Sequence, residues 1–159
     1  MPHTRSLLRV ARRLTLDASC AEDLVQDTLL LAWRAFHQFR AGTNARAWLF
    51  RILVNEFRSR LRKGRAAPVM VRLKAESQAP TYEFADAVEI REAVDNLTLE
   101  HRTVLLLAVV EGFTCQEVAE IVTAPIGTVM SRLSRARSAL RNQLFPAAPQ
   151  CTQAKGEAL

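Results

Sequence analysis

The spacing of apolar residues constrains the fold of this chain most strongly. Between residues 7 and 61, apolar side chains return at intervals of three and four, which is the period of an amphipathic α-helix. Two segments interrupt the pattern, TLDASCAED and RAGTN, and both contain turn-forming or capping residues. The pattern predicts three helices. Asp17, Ser19 or Asp23 can cap the second helix, and Thr43 or Asn44 can cap the third.

The helical period stops over residues 64–85, which carry two prolines and show neither helical nor alternating spacing. It resumes at about Asp86 and runs into the nearly all-apolar segment EHRTVLLLAVVEG, where Gly112 is the expected stop. We therefore expect an all-α protein with two small helical domains, residues 1–63 and 86–145, joined by a flexible linker at 64–85. The polar end, residues 146–159, is expected to be disordered.

The second domain contains a predicted helix-turn-helix unit. Thr114 and Glu117 have the spacing of a capping box that starts a short helix, and Pro125 suits the first turn of the next one. One face of this next helix is expected to be apolar and to pack on the preceding helices: Ile126, Val129, Met130, Leu133 and Ala136. The other face carries hydroxyls and guanidiniums: Thr128, Ser131, Arg132 and Arg135.

The charge of the chain favours an acidic partner. The formal net charge is +6, and no carboxylate lies between Pro125 and Arg141. Nucleic acid and anionic membrane surfaces are the usual partners of so basic a protein. A helix face that carries arginines suits the major groove of DNA, where guanidiniums contact phosphates or guanine edges. A solvated basic face is the alternative.

A second basic region differs in kind, because six of the ten aromatic residues fall between residues 33 and 57 beside several arginines. Aromatics next to cations can hold unstacked bases. At helical spacing, however, most such rings belong to the core, and we expect Trp33, Phe36, Trp48 and Phe57 to do so. The loop RAGTN is the better candidate for a base pocket.

The sequence offers no candidate for catalysis. Its three histidines are isolated, and neither a nucleophile paired with a base nor a phosphate-binding glycine loop is present. The three cysteines are far apart and never form a C-x-x-C pair, so we expect reduced thiols and no metal site. We expect no enzyme activity and no cofactor. Because no apolar run approaches the ~18 residues of a membrane span, we expect a cytoplasmic protein with no membrane insertion.

Three runs of the sequence together resemble a known family. AEDLVQDTLLLAWRAFHQF, GTNARAWLFRILVNEFRSRLRK and LTLEHRTVLLLAVVEGFTCQEVAEIVTAPIGTVMSRLSRAR are similar, in this order, to the extracytoplasmic-function (group 4) bacterial sigma factors of the sigma-70 family. The resemblance implies a sigma2-like domain at residues 1–63 and a sigma4-like domain at 86–145. It also implies a sigma factor that binds RNA polymerase core, directs it to promoters and helps to melt the minus-ten region.

The resemblance further implies roles for individual residues. Docking on the coiled coil of the polymerase beta-prime subunit would use Asp23, Gln26 and Asp27; from the sequence alone, Glu22, Asp23 and Asp27 equally suit the dipole of the second helix. The minus-ten element would be contacted by Arg40, Ala41, Gly42, Thr43, Asn44, Trp48, Arg51, Asn55 and Arg58. The minus-35 element would be contacted by Thr128, Ser131, Arg132 and Arg135, while the preceding helices face the beta flap.

Two further expectations concern partners and function. The run PIGTVMSRL, with Met130 where many members carry Lys, resembles a stress-response subgroup, several of which are held by zinc-containing anti-sigma proteins. We therefore expect an anti-sigma partner and a stress-response regulon. Two other functions remain compatible with the residues: a stand-alone helix-turn-helix regulator with an N-terminal sensing or dimerisation domain, and a helical protein-binding adaptor.

Overall fold

The structure is a computed structural model that describes residues 3–39, 42–64 and 85–145. These residues form α-helices and no strand, which confirms the all-α prediction. The helices are α1 (Thr4–Thr15), α2 (Ala18–Arg34), α3 (Ala45–Arg62), α4 (Ala85–Asp95), α5 (Leu99–Leu105), α6 (Cys115–Val122) and α7 (Ile126–Leu144). A short 3₁₀ turn, Phe36–Gln38, follows α2. The expected linker lies outside the described residues except for its two ends, and the expected tail lies wholly outside them.

Side-chain caps fix the start of α2, α3 and α6, three of the four described helices that have such a cap. The Asp17 carboxylate accepts a hydrogen bond from the Cys20 N–H at 2.7 Å, and the Asn44 side chain accepts one from the Ala47 N–H at 3.1 Å. At the start of α6, Thr114 and Glu117 bond each other's backbone N–H groups, so the predicted capping box is confirmed. Each cap joins residues three apart, and each capping residue is among the candidates that the sequence offers.

Helix α5 does not end as an ordinary α-helix. It continues as a π-helical turn, Leu106–Val110, in which the Glu111 N–H donates to the Leu106 carbonyl at 3.0 Å. This i to i+5 bond makes the turn wider than an α-helical turn. Gly112 follows with φ of +71°, a conformation that glycine adopts without strain. The helix therefore stops at the predicted residue, but by way of a turn that the sequence did not indicate.

The described helices form two modules. The first module, residues 3–64, packs α1, α2 and α3 together, and the second module, residues 85–145, packs α4, α5 and α6 around α7. The modules also pack on each other through α3 against α6 and α1 against α5. Phe50 of α3 meets Phe113 edge to face, with ring centroids 5.3 Å apart, and both rings are buried. One apolar core therefore continues from the first module into the second.

A buried arginine joins the modules at a second place. The Arg102 guanidinium of α5 donates to the carbonyl of Arg13 at the end of α1, at 2.9 Å, and to the carbonyl of Leu97 at 3.1 Å. Burial lowers the pKa of Arg102, and the nearby charge of Asp95 partly opposes that shift. Asp95 itself pairs with the Arg13 side chain at 3.0 Å. The last turn of α1 is thus held to the second module through its backbone and its side chain.

The expected burial of the aromatic residues is only partly correct. Phe57 is buried and Trp48 is half-buried, but Trp33 and Phe36 are 78% and 64% exposed, so their assignment to the core is wrong. The reason is that α2 carries apolar residues around more of its circumference than its contacts with α1 and α3 can cover. Trp33 faces outward near the end of α2, and Phe36 lies beyond it in the 3₁₀ turn, where its ring stacks on Phe39.

The apolar face of α7 is also narrower than predicted. Val129, Leu133 and Ala136 are buried, whereas Ile126 and Met130 are 44% and 57% exposed. Ile126 and Met130 lie on one edge of the apolar face, where no neighbouring helix of the described residues covers them. The expectation that Met130 packs inward is therefore wrong.

Candidate nucleic-acid interface

The four residues predicted to contact the minus-35 element lie on one side of α7. Ser131 and Arg135 are exposed, and Thr128 and Arg132 are half-buried. The Ser131 hydroxyl donates to the Thr128 carbonyl at 3.1 Å, so it is held against its own helix. The structure brings these four residues together, on the second helix of a helix-turn-helix unit, and leaves most of that side accessible.

Arg132 is engaged within the second module. Its guanidinium pairs with the Glu100 carboxylate at 2.8 Å, and its side chain is 22% exposed. Glu100 is on α5, so this ion pair joins α7 to α5. A DNA contact by Arg132 would have to replace the carboxylate with a base edge or a phosphate.

The loop predicted to capture a base is described only from Gly42, because Arg40 and Ala41 lie outside the described residues. Gly42 has φ of +90°, and Gly42, Thr43 and Asn44 are exposed. Asn44 caps α3 with its oxygen, and its amide nitrogen donates to the Glu117 carboxylate of α6 at 2.7 Å. The second module therefore holds the polar end of this loop.

The predicted residues of α3 follow the helix from this loop toward the second module. Trp48 packs against Phe39, with centroids 5.1 Å apart, and Arg51 and Asn55 are exposed. Arg58 donates to the Val122 carbonyl, the last residue of α6, at 2.6 Å. Burial is the main cause that lowers the pKa of Arg58, and the positive charge of Arg132 adds to it. The charges of Arg58 and Arg132, predicted to bind different DNA elements, therefore influence each other here.

An open groove of about 450 Å³ separates α3 from the helix-turn-helix unit. Arg51 lines one side of it, and Gln116, Glu120, Pro125 and Ile126 line the other. The side of α3 that carries the predicted minus-ten residues thus faces α6 and the start of α7.

The predicted polymerase-docking residues, in contrast, face outward. Asp23, Gln26 and Asp27 lie together on α2 and are exposed. The Asp27 carboxylate pairs with the Arg60 guanidinium, which also donates to the Asp23 carbonyl at 3.1 Å. Further along the same side of α2, Leu30 and Trp33 are 47% and 78% exposed. The docking residues therefore continue into an exposed apolar surface.

Sequence reasoning missed the carboxylates that hold the basic residues. Glu111, whose side chain is fully buried, contacts Arg9 of α1 at 2.7 Å and Arg46 of α3 at 2.5 Å. Glu117 contacts Asn44, as described above. These pairs are 65 to 102 residues apart in the chain, so no local pattern predicts them.

No set of three or more potential metal-ligating side chains comes together in the described part of the chain. Of the cysteines there, Cys20 is exposed and Cys115 is half-buried, and neither is in a disulfide. None of the described helices combines the length and the apolarity of a membrane span.

Comparison with known proteins assigns both modules to one family. The model of sigma-70 region 2 matches residues 1–67, and the model of sigma-70 region 4 matches residues 87–140. The ECF RNA polymerase sigma factor EcfG of Rhodopseudomonas palustris is 38% identical over 144 residues, which cover 88% of this chain and 80% of EcfG. The chain belongs to the extracytoplasmic-function sigma factors. It is thus an RNA polymerase sigma factor, from a family whose members are named as sigma factors and not as catalysts.

Further comparisons agree with this assignment. The sigma factor SigM of Mycobacterium tuberculosis is 32% identical over 143 residues, which cover 89% of this sigma factor and 73% of SigM. Among solved structures, the sigma factor RpoE of Bartonella quintana, in complex with the anti-sigma factor NepR, has a TM-score of 0.76 and 36% identity. That match covers 91% of this chain and 93% of RpoE. CnrH, in complex with the cytosolic domain of CnrY, has a TM-score of 0.68 and 25% identity over 92% and 85% of the two chains.

Proposed function

We propose that this sigma factor binds RNA polymerase core, reads a minus-35 element with α7 and helps to melt the minus-ten region with α3 and the loop before it. The observation that carries the proposal is the outward side of α7. Thr128, Ser131, Arg132 and Arg135 lie together there, on a helix with no carboxylate from Pro125 to Arg141. Such a side is suited to the negative potential of the major groove.

Docking on the beta-prime subunit is assigned to α2. Asp23, Gln26 and Asp27 are exposed although the modules are packed together, and Leu30 and Trp33 add apolar area beside them. Exposed aromatic and aliphatic side chains beside polar ones are typical of protein interfaces. Polymerase can therefore contact this sigma factor before the modules separate.

The minus-ten surface requires a rearrangement. Asn44 and Arg58 are bonded to α6, and Arg51 lines the groove between α3 and the helix-turn-helix unit. We infer that the modules separate before Arg40, Ala41, Gly42, Thr43, Asn44, Trp48, Arg51, Asn55 and Arg58 meet promoter DNA. A base flipped out of the stack costs a few kcal/mol, which the loop pocket would have to return.

We also propose an anti-sigma partner and a stress-response regulon. The support is the likeness to RpoE, solved with the anti-sigma factor NepR, to CnrH, solved with the cytosolic domain of CnrY, and to EcfG. A partner that binds only the packed form would keep Asn44 and Arg58 bonded to α6, because a ligand shifts an equilibrium toward the state it binds better.

The test is transcription with purified core polymerase on a library of promoter fragments. Specific transcripts that depend on the sigma factor are expected, and Arg132→Ala should weaken promoter use by ~1 to 3 kcal/mol if the side chain contacts a base. Arg137→Ala is the matched control, since Arg137 is exposed on the opposite side of α7. No stimulation on any template would refute the proposal. Specific duplex binding without core would instead favour a stand-alone regulator.

A further inference from the structure

Glu111 is a buried carboxylate at the boundary between the modules. Its side chain is 0% exposed, and it directly follows the π-helical turn of the second module. The two cations that hold it both come from the first module: Arg9, at 55% side-chain exposure, and Arg46, at 31%. Each carboxylate oxygen is used, because Oε1 accepts from Arg9 Nε and Nη2 and Oε2 accepts from Arg46 Nη2.

The two arginines converge on one anion from different helices. Arg9 lies on α1 and Arg46 in the first turn of α3, and the Arg46 guanidinium also lies over the Phe113 ring, 4.5 Å from its centroid. Two guanidiniums brought this close repel each other unless an anion lies between them. When the modules separate, Glu111 leaves with the second module, and the two arginines remain on the first with no carboxylate between them.

We propose that Arg9 and Arg46 form a phosphate site for the promoter strand, and that Glu111 occupies this site while the modules are packed together. The inference rests on the proposed function and adds to it a site at the start of α3. Guanidiniums bind phosphate oxygens with the same forked geometry that they use for carboxylates. Arg46 is two residues from Asn44, so a strand whose base enters the loop pocket passes this pair.

Competition follows from this arrangement. A single-stranded DNA segment and Glu111 require the same two guanidiniums, so DNA binding and module packing exclude each other. The same competition applies to the neighbouring loop, because the Asn44 amide donates to the Glu117 carboxylate of the second module at 2.7 Å. Neutralising Glu111 should therefore favour the separated form and raise the affinity for DNA.

The experiment measures binding of a fluorescently labelled, mixed-sequence single strand to the full chain across a series of salt concentrations. Glu111→Gln should bind roughly tenfold more tightly than the wild type, within the usual range of coupling between two states. Glu89→Gln is the matched control, since it removes the same charge from an exposed position of α4 in the same module. Equal affinities of the two variants would overturn the proposal.

The arginines are tested in the Glu111→Gln background. Arg9→Ala or Arg46→Ala should abolish the gain and reduce the slope of log K against log salt by about 0.7, the value for one phosphate on a single strand. An unchanged slope would show that the arginines do not meet a phosphate. Inorganic phosphate is the second probe: if it raises the melting temperature of Glu111→Gln while DNA affinity stays at the wild-type value, the site binds a free anion and the DNA assignment fails.

Two further measurements show which proposal a negative result overturns. If Glu111→Gln does not fold by circular dichroism, Arg9→Ala in complex with core polymerase replaces it; its promoter complexes should show a salt slope lower by about 0.7, and an equal slope would overturn the proposal. Transcription with wild-type protein is run in parallel. If the wild type transcribes and Glu111→Gln behaves as Glu89→Gln, only the phosphate site is wrong. If the wild type never transcribes, the proposed function itself is wrong.

Discussion

Replacing Phe113 by leucine tests whether the two modules pack together in solution as they do in the structure. Leucine keeps an apolar side chain at this buried position but removes two contacts that need a ring. One is the edge-to-face contact with Phe50, at 5.3 Å between centroids and 75° between planes. The other is the Arg46 guanidinium over the ring, 4.5 Å from its centroid.

The expected loss follows from these two contacts. An aromatic pair in this geometry contributes about 0.5–1.5 kcal/mol beyond its buried area. A cation over a ring contributes about 0.5–1 kcal/mol when it is partly hydrated, and the Arg46 side chain is 31% exposed. Phe113→Leu should therefore lower the free energy of unfolding by about 2 kcal/mol.

Urea denaturation followed by far-ultraviolet circular dichroism measures this loss by linear extrapolation. The same substitution at Phe145, which is 76% exposed, should change stability by less than about 0.5 kcal/mol. A cycle with Phe50→Leu isolates the contact between modules, and its coupling energy should be about 1 kcal/mol. A coupling within about 0.3 kcal/mol of zero would refute the reasoning, because it would show that the rings do not meet.

Three other predictions test local features. Val129→Ala should lower the free energy of unfolding by about 2 kcal/mol, because it removes two buried methyl groups and leaves a cavity. In the same urea assay, Met130→Ala should change the free energy of unfolding by less than about 0.5 kcal/mol. Thr114→Ala should cost about 1 kcal/mol through loss of the cap, and Ser134→Ala, at an exposed position, is its control. The Thr114 N–H donates to the Glu117 carboxylate and holds the pKa of Glu117 below its ordinary value of 4.5. The stability that the ionised carboxylate contributes is therefore present above pH 4.5, and it is lost as the pH falls through the lowered pKa. In an acid titration, Glu117→Gln should lose less stability below pH 4.5 than the wild type does.

The parts of the fold that the sequence predicts are those encoded by neighbouring residues. The helical period predicts α1, α2 and α3, and the spacing of Thr114 and Glu117 predicts the capping box; Asn44 is one of the two candidate caps for α3. The helix-turn-helix unit follows in the same way from a cap, a short helix and Pro125. These features need no knowledge of what lies opposite them, since each is stabilised within its own turn or helix.

Burial and long-range pairing are harder to predict from the sequence. Apolar spacing shows that a side of a helix prefers to be covered but not whether a partner covers it, which is why Trp33, Phe36 and Met130 were wrongly placed in the core. Arg132 is engaged by Glu100 through packing within the second module, and Asn44 is engaged by Glu117 through contact between the modules; neither contact follows from local spacing. The roles of the predicted residues in DNA binding remain predictions.

The π-helical turn at Leu106–Val110 has a consequence for related sequences. Each residue of a helix advances the chain by about 100° around the axis, so the extra residue in a π-helical turn sets the direction in which the following side chains point. Deleting one residue from this turn would restore ordinary α-helical bonding and rotate Glu111 and Phe113 away from Arg46. The number of residues in this turn, more than their identity, decides whether Glu111 and Phe113 can reach the first module. Two sigma factors that differ by a single insertion at this position could therefore share every helix and yet differ in how readily they open.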